Sequence, residues 1–389
     1  MTLIMGYTYG DHPVLLGDVL LSRDGESEQI FDLPTYTDIN NQMVGKVEAH
    51  VTGMRQKVNI LSDKLIVAWA GNQAQARLAL RDLKELVDSG SISADTVRQC
   101  IASIPPEDSW DLSLIGLYRD KTVTSYFLKS VTKFDFQPLS NVFMAGSGTN
   151  TMANLLDRAA VPSLGDLEED ARAPFAVAGL TALWLAAQAT GIEALSGTNL
   201  LERWGGAIEI ASFDRGAAFK IPNILYSFWE CKEEDGKKIN TLRMLPYFIK
   251  NEYQGQHLVT RTLQGTGNAN ALNFSNRVCV IPPLLYSNVY DGKISVDIPS
   301  LDYDFLCTSI LYTKNGAVHD ILGLATGCGA YPHPVRFDLQ GDQIAVGMEP
   351  GWYETVAKSA FRQIHPDLEV QESSMRRVTL EELKRIEEG

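Results

Sequence analysis

The chain has 389 residues, 45% of them hydrophobic and 21% charged, close to the globular average, which excludes a disordered chain, a collagen-like fibre and a disulfide-stapled miniprotein. Its 34 Lys plus Arg against 48 Asp plus Glu give a formal net charge of −14, which argues against nucleic acid or an anionic membrane surface as a partner. A single core stops growing at roughly 250 residues, so two or three domains are expected.

The chain opens on a β-rich run over residues 2–9, a turn at Gly10-Asp11-His12-Pro13, and a second run over 14–22, which predicts a hairpin. Residues 23–53 read as polar and irregular. A second hairpin is expected from 57–60 and 64–70 around Leu61-Ser62-Asp63. Ala76, Leu80, Leu83 and Val87 then fall at helical spacing behind Asn72 as N-cap, and a shorter helix over 94–104 follows Ser93. Strands are expected at 111–118, 122–128 and 141–145, the last running into Gly146-Ser147-Gly148. Two helices, 149–159 and 173–189, precede a return to strand at 205–213 and 217–221. The helix at 173–189 is nearly long enough to span a membrane, but it is Ala-rich and is read as a buried core helix.

Strand pairs alternating with helix pairs imply a layered α+β domain, two stacked sheets with helices on both outer faces. Beyond about residue 225 the texture changes. Residues 230–238 read as a charge-rich turn and 264–273 as a Gly/Asn cluster, with strands expected at 278–285, 293–298, 305–313 and 318–324 and helices at 353–364 and 380–388. The predicted division is 1–225 and a β-rich unit over 226–389. The aromatic residues Tyr226, Phe228, Trp229, Trp352 and Tyr353 read as core or interface anchors.

Five scattered cysteines (Cys100, Cys231, Cys279, Cys307, Cys328) without a C-x-x-C pair, and a start lacking a basic and apolar leader, predict the reducing cytoplasm. Six histidines in no ligand spacing give no expectation of a metal, and Gly265-Thr266-Gly267 and Gly327-Cys328-Gly329 lack the surroundings of a phosphate loop and read as turns. No cofactor is expected.

Thr2 becomes an N-terminal residue if Met1 is removed, and a free α-amine titrating near neutrality can act as general base for its own hydroxyl. Asp18 lies sixteen positions on, where the predicted hairpin returns beside the first strand's beginning. Lys57 opens the next hairpin and Gly71 closes it fourteen residues later, before a helix N-terminus. An ammonium near a hydroxyl lowers its pKa, and a glycine N–H can meet a developing oxyanion. Blander uses exist for each: Asp18 as a turn cap, Lys57 as a strand-edge charge, Ser147 as a helix N-cap.

Thr2, Asp18, Lys57 and Gly71 at these offsets, with Gly146-Ser147-Gly148 further on, resemble the proteasome β-subunit family of N-terminal nucleophile (Ntn) hydrolases. The resemblance covers about residues 2–221. It implies a four-layer αββα sandwich and a threonine-type peptidase or amidohydrolase acting on a peptide or amide. Thr2 would be the nucleophile, Asp18 and Lys57 its supports, Ser147 an organiser of its amine and Gly71 the oxyanion donor. It also implies homo-oligomers, with rings and an ATP-dependent unfoldase as partners in the family, although a fused domain of this size would favour a dimer or a single ring.

Two departures stand out. About twenty surplus residues lie between Asp18 and Lys57, within 23–53. Before Gly205-Gly206, where the family commonly has an acid and a hydroxyl, this chain has Leu201 and Trp204; Glu202 is the nearest carboxylate and Ser196 and Thr198 the nearest hydroxyls. A catalytically silent scaffold and an amidase for a small substrate are the alternative readings.

Overall fold

The computed structural model describes residues 2–24, 33–35, 49–106, 110–121, 123–166, 173–234, 241–268, 271–285, 296–327, 333–340 and 343–365. The chain is an α+β protein rich in strand. Strands β1 (Leu3–Tyr9) and β2 (His12–Asp18) form the expected hairpin. Leu3, Met5, Tyr7 and Tyr9 point to one face and Ile4 to the other, and all are buried, as a strand covered on both sides requires.

The run expected over 14–22 breaks at Val19. The backbone N–H groups of Val19 and Leu20 both donate to the carbonyl of Gly205, at 3.1 and 3.0 Å, which turns the chain out of the first sheet. Strand β3 (Leu20–Asp24) then pairs with β4 (Ala49–Met54), a strand in a segment read from sequence as irregular. The rest of 23–53, apart from 33–35, lies outside the described residues.

Strands β5 (Val58–Ser62) and β6 (Leu65–Gly71) lead into helix α1 (Gln73–Asp88), capped by the Asn72 side chain, and α2 (Ala94–Ala102), which opens with a Ser93–Thr96 capping box. Next come β7 (Leu112–Asp120), β8 (Val123–Lys129), the unforeseen β9 (Thr132–Phe134) and β10 (Ser140–Gly146). Helices α3 (Thr149–Asp157) and α4 (Ala173–Gly191), a π-helical turn over Ile192–Ser196, and the short α5 (Asn199–Glu202) precede β11 (Ile208–Asp214) and β12 (Ala217–Lys220).

One antiparallel sheet has the order β12-β11-β2-β1-β10-β9 and the other β5-β6-β7-β8. Ile4, Leu15, Ile66, Ile115, Phe143 and Phe213 fill the space between them. Helices α1 and α2 bury Ala76, Leu80, Leu83 and Val97 on the outer face of the second sheet, against Val67, Trp69 and Leu114. Helices α3 and α4 cover the outer face of the first, against Met5, Tyr7 and Leu16.

The remaining chain forms a third sheet from β13 (Ile224–Glu233), β14 (Thr241–Gln254), β15 (His257–Asn268), β16 (Ala271–Ile281), β17 (Phe305–Lys314) and β18 (Ala317–Gly327). Its order is β16-β15-β14-β13-β17-β18, with β13 and β17 parallel and the other pairs antiparallel. The hairpin β19 (Val335–Gln340) and β20 (Gln343–Met348) and helix α6 (Pro350–Ile364) follow. Trp229 faces α6, beside Trp352 and Tyr353, while Tyr226 and Phe228 face α4.

Several sequence expectations are corrected here. Strand β13 runs to Glu233, into the charge-rich turn expected over 230–238, of which 235–238 lie outside the described residues, and 264–273 belongs largely to the paired ends of β15 and β16. Residues 296–298 are not strand; the helix expected at 380–388 and Cys328 lie outside the described residues.

Helix α4 is packed between the first and third sheets, which is why it is apolar all round. With the turn that follows, it is among the described residues the one helix long and apolar enough to cross a membrane, and most of it is buried in this core. A Cβ on Gly191 would lie 2.7 Å from the Ser309 Cβ on β17, whereas one on Gly179 would meet nothing within 4 Å. Gly191→Ala is therefore expected to destabilise by about 1–3 kcal/mol through overpacking. Gly179→Ala in the same helix should be neutral or gain up to about 1 kcal/mol; denaturant unfolding of both variants checks the contrast.

Candidate active site

Thr2 stands at the start of the central strand of the first sheet. The hairpin register puts Ile4 opposite Gly17 and so returns Asp18 to the beginning of β1, while Leu3 pairs with Gly146 on the other side and Asp18 with Ile208 beyond. Four strand ends thus meet where the chain begins.

Three of the residues named from sequence come together there, all fully buried. The Thr2 hydroxyl donates to Asp18 Oδ1 at 2.6 Å and accepts from Lys57 Nζ at 3.0 Å. Asp18 also receives the N–H of Leu3 at 3.0 Å on Oδ1 and that of Gly205 at 2.9 Å on Oδ2. Lys57 Nζ donates to the Leu20 carbonyl at 2.8 Å, lies 3.8 Å from Asp18 Oδ1, and sits 4.6 Å from the centroid of a Trp69 ring. Burial lowers the Lys57 pKa from its ordinary value, and the carboxylates of Asp18 and Glu209 oppose that fall.

Gly146 has φ +97°, and a Cβ there would lie 1.8 Å from the Thr2 carbonyl oxygen. Only glycine lets this turn pass so close to Thr2. The Ser147 hydroxyl and the Gly148 N–H both point to the Thr2 carbonyl at 3.5 Å, the outer limit of a hydrogen bond. Gly71 ends β6 two residues beyond Trp69, with φ +95°, and a Cβ on it would lie 2.3 Å from the Asp111 carbonyl oxygen.

The residues named from sequence before Gly205-Gly206 are engaged elsewhere. Leu201 is 61% exposed. Glu202 accepts from the buried Trp204 indole N–H at 2.8 Å and from Thr151. Ser196 donates to the Ile192 carbonyl at 2.6 Å and lies 3.0 Å from the Thr198 hydroxyl. A Cβ on Gly148 would lie 2.7 Å from the Trp204 ring, so the indole packs directly on the Gly-Ser-Gly turn.

The carboxylate that does meet the Gly-Gly turn is Glu193, from the π-helical turn after α4. Its two oxygens accept the Gly206 N–H at 3.0 and 2.8 Å. The turn is therefore gripped by two acids, Asp18 on Gly205 and Glu193 on Gly206. Burial raises the Glu193 pKa to about 7, the nearby Asp18 adds to the rise, and hydrogen bonds with Thr35, Gly206 and Asn199 oppose it. Sequence reasoning passed over Glu193, although it is the sole charged residue between positions 173 and 201.

Among the described residues no group of three or more His, Cys, Asp or Glu side chains converges to hold a metal ion. Compared with known proteins, the chain matches no family model and no curated protein.

The raised Glu193 pKa fixes a pH dependence. Below its ordinary value of 4.5 both folded and unfolded states carry the proton; between 4.5 and about 7 the folded state alone keeps it. Glu193 thus removes stability as pH rises through this window, by roughly 3 kcal/mol at most. Glu193→Gln is expected to lose less stability than the parent between pH 5 and pH 8, which denaturant unfolding midpoints at the two pH values measure.

Proposed function

We propose that the chain is a threonine-type N-terminal nucleophile hydrolase of the proteasome β-subunit kind, a peptidase or amidohydrolase. The observation that carries this reading is the Thr2 hydroxyl held between Asp18 Oδ1 at 2.6 Å and Lys57 Nζ at 3.0 Å. The layering of helices, two sheets and helices over about residues 2–221 supports an Ntn-type sandwich as its frame.

Cleavage of the Met1–Thr2 bond frees the Thr2 amine. That amine takes the hydroxyl proton, directly or through water, as the oxygen attacks an amide carbonyl. The Lys57 ammonium stabilises the developing alkoxide, and Asp18 keeps Lys57 and the hydroxyl aligned. The Gly71 N–H is the proposed donor to the tetrahedral oxyanion. Collapse of this intermediate breaks the amide C–N bond, and the leaving amine takes the proton from the Thr2 ammonium. Water then hydrolyses the Thr2 ester by the same base. Cytoplasmic location, homo-oligomers and an unfoldase partner belong to this proposal, and the last two are carried by the resemblance alone.

A catalytically silent scaffold is the second reading, favoured by Trp204 packed on the Gly-Ser-Gly turn and by the exposure of Leu201. Intact mass of the purified protein and exposure to a β-lactone separate the two. Loss of Met1 and one adduct at Thr2 are expected, none in Thr2→Ala, and a labelling rate lowered by about 100-fold or more in Lys57→Ala. Retained Met1, or a free Thr2 that takes no adduct, would establish the scaffold reading instead.

A further inference from the structure

Glu209 lies on β11 opposite Gly17, in the layer between the two sheets, and is 1% exposed. Its two oxygens serve two different parts of the molecule. Oε2 accepts the backbone N–H of Lys57 at 2.6 Å and of Val58 at 3.1 Å. Oε1 accepts from Lys220 Nζ at 2.6 Å and from the Tyr253 hydroxyl at 3.0 Å. Strand β5 is the edge of its sheet, so N–H groups on its outer side need a partner from elsewhere, and Glu209 supplies one from the facing sheet.

The residue before Lys57 is held as firmly. Gln56 donates its N–H to the Pro282 carbonyl at 3.1 Å and its side-chain amide to the carbonyls of Gln256 at 2.6 Å and Ile281 at 2.9 Å. Its own carbonyl accepts the Trp69 indole N–H at 3.1 Å, and its side-chain oxygen accepts Lys220 Nζ at 2.6 Å. Every polar atom of Gln56 is engaged. Gln256, Ile281 and Pro282, like Tyr253, belong to the third sheet and its connections.

We propose that Glu209 is the positioning residue of Lys57, and that the C-terminal sheet, through Tyr253 and its grip on Gln56, is a working part of the active site. This rests on the threonine-hydrolase reading. Displacement of a catalytic group by about 1 Å costs on the order of 100-fold in rate, so the backbone bonds that place Lys57 matter as much as its ammonium. The charge of Glu209 acts in the same direction. The ionisable groups facing Lys57 are Asp18 from β2 and Glu209 from β11; Lys220 from β12 and Tyr253 from β14 face Glu209, and Glu193 faces Asp18. Asp18 and Glu209 keep Lys57 protonated against its burial, and removing one of them lets the proton leave at lower pH.

The test is the rate of β-lactone labelling at Thr2 in the full-length, Met1-free protein across about pH 6 to 10. Labelling of the unmodified chain tests the hydrolase reading: a free Thr2 that stays unlabelled ends that reading and this proposal with it. Given labelling, the variants test the Glu209–Lys220 pair, whose ammonium also holds Gln56, and Tyr253. Glu209→Gln leaves Lys220 buried without its partner and can unfold the chain, so the double variant Glu209→Gln with Lys220→Met removes the pair together. It is expected to label about tenfold slower at neutral pH, with the alkaline limb of the profile moved down by about one pH unit. Tyr253→Phe is expected to slow labelling about two- to fivefold with no shift of that limb. A folded double variant with the parent's rate and the parent's alkaline limb would overturn the positioning role. Tyr253→Phe at the parent's rate would overturn the part given to Tyr253 and leave the C-terminal sheet only its grip on Gln56.

Discussion

The buried carboxylate of Asp18 is the constraint on which the rest of this site depends. A fully buried carboxylate must have its lone pairs answered by donors, because water cannot reach it. Here the donors come from three directions: the hydroxyl of Thr2, the backbone of Leu3 and the backbone of Gly205. Two of these bonds hold the start of β1 and the third holds the glycine turn before β11. The Gly205 carbonyl, turned the other way, takes Val19 and Leu20 and sends the chain out of the sheet just after Asp18. One side chain thus fixes the start of the chain, the exit of β2 and the approach to β11.

Around that carboxylate the core holds further charges in alternation. Lys57 lies on the far side of the Thr2 hydroxyl from Asp18, Glu209 holds Lys57 by its backbone, and Lys220 pairs with Glu209 at 2.6 Å. An isolated charge buried to this degree would be expelled or neutralised, whereas a chain of opposite charges with every hydrogen-bonding atom engaged is tolerated and fixes one geometry. Glu193 is the exception. Its pKa rises to about 7 because burial outweighs the hydrogen bonds from Thr35, Gly206 and Asn199. The acids therefore differ in their work: Asp18 and Glu209 sustain a buried ammonium, and Glu193 tethers a glycine turn near neutrality.

Much of this was legible in the sequence, for physical reasons that also explain the misses. Thr2 and Asp18 meet because a hairpin of known length returns its second strand to the start of the first, and Lys57 joins because it opens the strand stacked opposite. Glu193 and Glu209 were overlooked because each sits in an apolar run, one at the end of a core helix and one inside a buried strand. A lone acid in such a run is itself a signal, since burial demands a partner. Strands β13 and β14 escaped because Tyr226, Phe228 and Trp229 in the one and Tyr247, Phe248 and Ile249 in the other are buried on both faces, which erases alternation. Gly265 read as a turn, yet it pairs with Phe274 in the ladder, where a Cβ would lie 2.8 Å from Pro246 and 3.1 Å from the Phe274 ring. Glycine serves close approach there, which composition does not distinguish from a bend.

Two of the places where the C-terminal sheet meets the rest of the molecule lead toward Asp18. Against α4 the contact is largely apolar, with Tyr226, Phe228 and Ile249 covering the helix, and is pinned by hydrogen bonds from the Ser309 hydroxyl to the Ala187 carbonyl at 2.6 Å and from the Trp184 indole to the Gly323 carbonyl at 2.9 Å. Near Lys57 it is polar, and each bond there engages a backbone or side-chain atom of Gln56 or the carboxylate of Glu209. The apolar surface supplies area, whereas the hydrogen bonds at both places fix register, because a buried donor displaced by one residue would be left unsatisfied. Helix α4 ends in the turn that carries Glu193, and the polar contact ends on the strand that carries Lys57. One route thus ends at Glu193 and the other at Lys57, both of which feel the charge of Asp18, so the placement of these two side chains follows from how the two halves of the chain dock.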